Sequence, residues 1–228
     1  MEGVTRFRSI MLLVLVCAVA PFAGCAGAVG TTSASMIRKV KESPDPNIRY
    51  LAYAKLASPR VYDDEAQKAE AATLLAANLT DGNEPEASRV VLCHTLGELK
   101  RPEARSAILR VIGDPSSPAV RAAACRALGK VGQPEDALIL AKVMTMESDA
   151  DCRIAAIEAL GTLKSPDPRI DAVLVDGMES TDPAIRLASL QSLRATSGQD
   201  LGLEPEPWRK YADQRAKTLA VSTPPVQR

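Results

Sequence analysis

Aromatic residues and histidine are scarce in this chain, and its charges cancel. Its 228 residues include two Phe, one Trp, four Tyr and one His, and 28 Lys or Arg balance 28 Asp or Glu. A chain without net charge has no field that would draw it to a polyanion, so we expect no nucleic-acid partner. Apolar residues make up 46% of the chain but few are aromatic, which favours helices packed through small side chains over a β-sandwich.

The five cysteines form no CxxC pair. Cys17 and Cys25 lie in the N-terminal segment, which leaves Cys93, Cys125 and Cys152. An odd number of cysteines in a chain with one histidine argues against a disulfide framework and against a zinc site. We therefore expect these three residues to be small buried hydrophobes, and we expect no metal and no cofactor.

The N-terminus resembles a bacterial export signal. Arg6 and Arg8 precede an apolar run at residues 10–22, which is short for a bilayer span but suits the apolar part of a secretory signal. The run ends in FAGC, which resembles a lipobox whose Cys25 is lipidated and becomes the mature N-terminus. Ala26 after it is consistent with sorting to an outer membrane.

This resemblance predicts a signal peptide at residues 1–24 and a linker at residues 25–35. The protein would then be exported to the bacterial cell envelope and anchored in its membrane by lipid, because acyl chains on cysteine give lasting attachment. The alternative is ordinary signal cleavage after Ala28, which leaves a soluble secreted or periplasmic protein.

A repeat of 32 to 40 residues runs through the chain. Its marker is an arginine, followed seven residues later by leucine in every copy, and apolar or small residues recur one before and three and four after the arginine. These offsets define one buried face of an α-helix, and the period is typical of solenoids. The markers are Arg49, Arg89, Arg121, Arg153 and Arg186.

The segments between the marker helices also carry apolar residues at helical spacing. Asp, Asn or Ser, often followed by Pro, precedes the marker helices and is typical of an N-cap, and Gly97, Gly129 and Gly161 indicate helix ends and close helix approach. The predicted partner helices lie at residues 36–42, 65–79, 102–112, 134–146 and 169–178. The unit is a helix pair, and about five pairs follow one another.

The motif DPxIR with a leucine seven residues after the arginine, as at residues 182–193, resembles the second helix of HEAT repeats of the bilin-lyase-like subclass. The resemblance covers residues 35–196 and implies an all-α fold, a right-handed α-solenoid with its repeat array at residues 36–197. It also implies that the marker arginines form a structural ladder, each reaching the N-cap aspartate of a neighbouring repeat. The first and fifth copies lack the usual glycine, as expected of terminal repeats with a polar outer face.

The segment 198–228 departs from the repeat pattern. It contains Trp208, which we expect to cover Leu190 or Leu193 at the open end of the last repeat, with Tyr211 beside it. An aromatic contact with a partner is the alternative. Residues 222–228 are rich in Pro and polar residues and predict disorder.

The position five residues after each marker arginine points away from the buried face. In repeats two to five it holds His94, Arg126, Glu158 and Gln191, and Lys130 lies one turn beyond Arg126. In the resembled family this face is concave, so these five residues form a candidate partner-binding stripe. The alternative is an ordinary solvated helix face.

The sequence therefore predicts a non-enzymatic scaffold that binds an unknown protein or peptide and is held to the membrane by its N-terminal lipid. The alternative function is a lyase-like HEAT protein that handles a chromophore or another small ligand. Related di-iron hydroxylases need several His-Glu pairs, and the single His94 excludes that chemistry. Cys93 and His94 are adjacent on a helix and point about 100° apart, so they do not form a catalytic dyad.

Overall fold

The computed structural model describes residues 32–114 and 117–222, and within these residues every regular element is helical. Cys25, the predicted signal peptide and residues 223–228 of the predicted disordered tail lie outside the described residues. The eleven α-helices are α1 (Ser33–Glu42), α2 (Pro46–Leu56), α3 (Glu65–Thr80), α4 (Glu86–Leu99), α5 (Arg105–Gly113), α6 (Pro118–Val131), α7 (Ala137–Met146), α8 (Ala150–Leu163), α9 (Pro168–Met178), α10 (Pro183–Ser197) and α11 (Pro205–Ser222). A short 3-10 turn at Pro59–Val61 lies between α2 and α3. Two further 3-10 turns, at Pro102–Ala104 and Pro134–Asp136, directly precede α5 and α7.

The helices form two rows. The marker helices α2, α4, α6, α8 and α10 pack against one another in chain order, and each also packs against its own partner, α1, α3, α5, α7 and α9. Each repeat thus contacts mainly its neighbours, which is the organisation of a solenoid. The prediction of an all-α solenoid of five helix pairs is confirmed. Residues 33–35, which the sequence assigned to the linker, are helical in α1.

Aspartate and serine side chains begin most helices. The side chains of Asp45, Asp149 and Asp182 accept hydrogen bonds from backbone N–H groups of α2, α8 and α10, and Ser117 does the same for α6. These bonds satisfy donors that have no partner inside the helix. Helix α4 is different, because Pro85 occupies its N-cap position and offers no side-chain acceptor.

The glycines of the marker helices allow close packing rather than ending the helices. A Cβ added at Gly129 would lie 2.9 Å from Ala159 Cα, and one at Gly161 would lie 3.0 Å from Ser192 Cα. A Cβ at Gly97 would be 3.1 Å from Ala127 Cα. The helices continue for two residues beyond each glycine. The prediction of close approach is therefore confirmed, and the prediction that these glycines end the helices is wrong.

Residues in the left-handed conformation end three of the marker helices, and two of these residues are lysines. Lys100 follows α4 with φ 52° and Lys164 follows α8 with φ 49°, where glycine would fit with less strain. Gly198 takes the same conformation after α10, with φ 69°. The sequence pattern predicted that Gly97 and Gly161 end α4 and α8. Lysine, three residues further on, ends these two helices instead.

Two buried hydroxyl groups tie neighbouring marker helices together. Thr95 donates to the Tyr53 carbonyl oxygen at 3.0 Å, and Ser192 donates to the Ile157 carbonyl oxygen at 2.8 Å. Thr95 and Ser192 each lie six residues after their marker arginine, as do Ala127 and Ala159, the residues that face the glycines. The sixth position of α4, α6, α8 and α10 thus faces the preceding repeat.

The segment after the last repeat forms helix α11, which packs mainly on α9. Trp208 is fully buried, its Nε1 donates to the Gly202 carbonyl oxygen at 3.0 Å, and its ring meets that of Tyr211 edge to face with 6.2 Å between centroids. Trp208 belongs to the same buried cluster as Leu190 and Leu193.

Two arginines that the sequence analysis did not single out also hold α11 in place. Arg209 forms ion pairs with Asp176 and Glu179 at the end of α9, at 3.2 and 2.7 Å. Arg215 pairs with Asp171 at 2.5 Å, and burial raises the pKa of that carboxyl group despite the guanidinium beside it. The docking of α11 is therefore both apolar and electrostatic.

Candidate binding surface

The predicted stripe residues are exposed on successive marker helices. The exposed fraction of the side chain is 64% for His94, 50% for Arg126, 53% for Glu158 and 37% for Lys130, and Gln191 is also exposed. We call these five residues the polar stripe. They occupy α4, α6, α8 and α10, so the structure places them in one row across four repeats.

The charges of the polar stripe are paired between repeats. Arg126 Nε lies 3.4 Å from Glu158 Oε2, which links α6 to α8. Lys130 on α6 pairs with Glu98 on α4, and His94 Nε2 lies 3.8 Å from the same carboxylate. The hydrogen bond from Lys130 lowers the pKa of Glu98. Exposed pairs of this kind contribute little to stability, so a partner can exchange them for its own charges at small cost.

A depression of about 180 Å³ lies between α4 and α6 beneath the polar stripe. Its lower wall is apolar and small, and its rim is cationic. The lining residues are Val90, His94, Gly97, Ala123, Arg126, Ala127 and Lys130. The volume suits one short side chain of a partner rather than a cofactor, which needs several hundred Å³.

A larger groove lies on the other row, between α5 and α7, with a volume of about 650 Å³. Leu138, Ile139 and Met146 of α7 line it and remain 42%, 40% and 73% exposed. The repeat pattern of the sequence did not predict this groove. The one feature of the sequence that points to the groove is the composition of α7, which carries apolar residues on every side. A helix with a single buried face needs fewer apolar residues.

Two marker arginines bind the loop of their own repeat. Arg49 Nη1 donates to the carbonyl oxygens of the residues five and six before it, Pro44 and Ser43, each at 3.0 Å. Arg186 Nη1 makes the same two bonds with Thr181 and Ser180, at 3.0 and 2.9 Å. These arginines thus fix the turn that joins the two helices of a pair.

Glutamates accept from two of the marker arginines between repeats. Arg49 Nε donates to Glu84 at 2.7 Å, and Arg121 Nη2 pairs with Glu147 at 2.7 Å. Both glutamates lie in the loop before the next marker helix. The N-cap aspartates cap their own helices instead, as described above. At Arg49 and Arg121 a glutamate thus takes the place of the N-cap aspartate that the family resemblance implied, and Arg153 donates to the Met144 carbonyl oxygen at 3.0 Å.

Cys93, Cys125 and Cys152 are buried and free, as predicted. Burial raises the pKa of the Cys93 thiol to about 12, so this thiol stays protonated at neutral pH and is not a nucleophile. His94 points to solvent while Cys93 is fully buried, and the two side chains do not form a catalytic pair.

The described residues contain no group of three or more His, Cys, Asp or Glu side chains that could hold a metal ion. No helix in that part of the chain combines the length and apolar character needed to cross a membrane.

Residues 72–161 match the model of a protein family that is described as HEAT repeats. These residues run from within α3 to the glycine near the end of α8 and include the three closely packed marker helices α4, α6 and α8. No curated protein matches the chain. The matched segment and the two rows of paired helices together support a HEAT-repeat protein.

Proposed function

We propose that this protein is a non-enzymatic scaffold that binds a protein or peptide through the polar stripe. The observation that carries the proposal is the continuity of the stripe, which presents exposed side chains of differing charge on four successive repeats. HEAT repeats commonly mediate protein interactions, and solenoids offer extended surfaces of this kind. The depression between α4 and α6 adds a place for one inserted side chain.

The partner that fits this surface has an extended or helical segment with alternating charge. An acidic group would meet Arg126 and Lys130, and a basic group would meet Glu158 and Glu98. Since Arg126, Lys130, Glu158 and Glu98 together carry no net charge, complementary charges give specificity and register more than affinity. This accords with a protein or peptide partner rather than a polyanion.

Exchanging the charges of one pair should abolish this recognition without unfolding the protein. The double variant Arg126→Glu, Glu158→Arg keeps an ion pair between α6 and α8 but reverses its direction. We expect a partner captured by the parent protein in a cross-linked pull-down from the native cell envelope to be lost by this variant, because like charges then face each other.

The matched control is Glu206→Lys, Lys210→Glu, which reverses an exposed pair of 3.4 Å on α11. This control should capture the same partner as the parent. If the parent, the stripe variant and the control captured identical proteins, the proposal would be wrong, and the polar stripe would be an ordinary solvated helix face.

We also propose that the protein is exported and anchored by lipid on Cys25, as a lipoprotein of the bilin-lyase-like HEAT subclass. The support is the sequence at residues 6–26, where arginines, an apolar run and a lipobox-like ending follow in the order that export requires. Two or three acyl chains on one cysteine would hold the chain at the membrane surface.

Cys25→Ala should release the protein from the membrane fraction. The membranes are washed in 1 M salt before sedimentation, since salt at that concentration shortens electrostatic screening to about 3 Å and removes proteins held by charge. Cys17→Ala, which lies inside the predicted signal, is the matched control and should leave the protein in the pellet. Equal retention of all three proteins would contradict lipid anchoring at Cys25.

A second candidate function is the binding of a chromophore or another small ligand. The groove between α5 and α7 favours it, because its volume of about 650 Å³ lies in the range of small-molecule sites. Ligand binding there would survive exchange of the Arg126 and Glu158 charges, which lie on the other row of helices.

A further inference from the structure

Each marker helix has a side that faces the preceding repeat. Its residues lie one before, two after and six after the marker arginine, as the contacts of Thr95, Ala127, Ala159 and Ser192 establish for the sixth position. In the repeats that follow another repeat, these three positions are buried or half-buried without exception. The preceding helix pair covers them.

Helix α2 carries apolar residues at two of these positions and leaves them exposed. Ile48 is 42% exposed and Leu51 is 59% exposed, and Lys55 at the sixth position is also exposed. Within the described residues no helix pair precedes α1 and α2, so this side remains open. The expectation of a polar outer face on the first repeat is therefore wrong.

Lys39 of α1 belongs to the same side. Lys41 reaches forward to Glu70 of α3, the partner helix of the next repeat, at 3.7 Å. Side chains two positions apart on a helix point in directions that differ by about 200°. Lys39 therefore points away from α3 and toward the open side. We call Lys39, Ile48, Leu51 and Lys55 the end face.

The charge around the end face is unlike that of the rest of the protein. Residues 32–62 contain six Lys or Arg and two acidic residues, Glu42 and Asp45. Residues 63–222 contain 19 basic and 25 acidic residues. The chain is neutral overall, but its first repeat is basic and the remainder is acidic.

This charge separation decides what can cover the end face. A second copy packed head to head would bring two basic repeats together, which costs free energy, and at the other end of the array α11 already packs on the last repeat. An anionic bilayer attracts each lysine near its surface, and aliphatic side chains flanked by lysine enter the boundary between headgroups and acyl chains. The chain before Thr32 also leaves from this first repeat.

We propose that the end face docks onto an anionic phospholipid bilayer, with Ile48 and Leu51 entering the headgroup region and Lys39 and Lys55 binding lipid phosphates. The array then stands with its first repeat on the membrane and its acidic repeats away from it. This contact is independent of the polar stripe and does not require lipid on Cys25. If Cys25 is anchored, the seven residues to Thr32 span at most about 25 Å and keep the end face within reach of the surface.

Hydrogen exchange of the full-length protein on vesicles tests this contact. The protein is incubated with vesicles of neutral phosphatidylcholine and with vesicles that contain phosphatidylglycerol, and amide exchange is followed in peptides that cover α2. We expect the anionic vesicles to bind the protein at least about fivefold more tightly, since each lysine near such a surface favours binding by a factor of about five, and we expect exchange in α2 to slow there. In 0.5 M salt the difference should disappear.

The variant Lys39→Glu, Lys55→Glu should remove the protection, and so should Leu51→Ser in part. The matched control Lys210→Glu, Lys217→Glu makes the same charge change on exposed residues of α11 and should keep it. Any of three results would overturn the proposal: equal exchange of α2 on both vesicle types, equal protection in the end-face variant and the control, or protection of α2 without vesicles. The last result, if it increases with protein concentration, would assign the end face to a second copy of the chain.

Discussion

Replacing Leu128 with aspartate is expected to unfold the helix array. Leu128 lies in α6, seven residues after Arg121, and is fully buried in the core that α6 shares with its neighbours α4, α5 and α8. A carboxylate there has no counter-ion in the apolar cluster, and burying an unpaired charge costs several kcal/mol or forces its protonation. Since the whole stability of a domain is about 5–15 kcal/mol, this single change is comparable with the total.

Circular dichroism during heating and in urea gives the test. The control Leu128→Met keeps an apolar side chain of similar volume and should cost less than about 1.5 kcal/mol. A melting temperature of Leu128→Asp equal to that of the parent would mean that the leucine after the marker arginine does not face the core. The repeat register would then be wrong in every copy.

Removing the side chain of Trp208 should have the second largest effect. Trp208→Ala deletes a fully buried ring that contacts Tyr211 and donates a hydrogen bond to Gly202. Such deletions cost about 3–5 kcal/mol. Because α11 packs mainly on α9, we expect α11 to detach first and to expose the end of the last repeat.

Limited proteolysis combined with thermal melting would detect this order of events. Trp208→Ala should be cleaved first within α11, before any site in α1 to α10, and its melting temperature should fall. Trp208→Phe is the matched control, since it keeps one aromatic ring while it loses the N–H donor and part of the buried volume, at a cost of about 1–3 kcal/mol. If α11 of Trp208→Ala resisted protease as long as that of the parent, the ring would not hold the helix in place.

The polar stripe illustrates how far periodicity reaches. Counting five residues from each marker arginine predicts which side chains point outward, and His94, Arg126, Glu158 and Gln191 are exposed accordingly. Counting does not reveal that Arg126 pairs with Glu158 across two helices, because that contact depends on the spacing and rotation between repeats. The groove beside α7 was missed for the same reason.

For the marker arginines, the repeat pattern predicted more regularity than the structure has. The repetition of arginine predicted one contact repeated in every copy, and the resemblance to HEAT repeats supplied aspartate as its acceptor. In the folded chain Arg121 pairs with Glu147, whereas Arg153 donates to the Met144 carbonyl oxygen. A long guanidinium side chain binds whichever acceptor the local loop brings within reach, and the loops before the marker helices differ in sequence.

By itself, the sequence determined the helices, their pairing and the order in which the pairs stack. Apolar spacing, N-caps and the repeat period are local properties of the sequence, and they recur in each copy. A copy that departs from the pattern therefore does not change the predicted fold. The tertiary structure decided what depends on the distance between copies. It decided that Gly97, Gly129 and Gly161 are points of close contact and not helix ends, because a missing Cβ lets two helix backbones approach. It also left Ile48 and Leu51 exposed at the first repeat, because within the described residues no helix pair packs on that side.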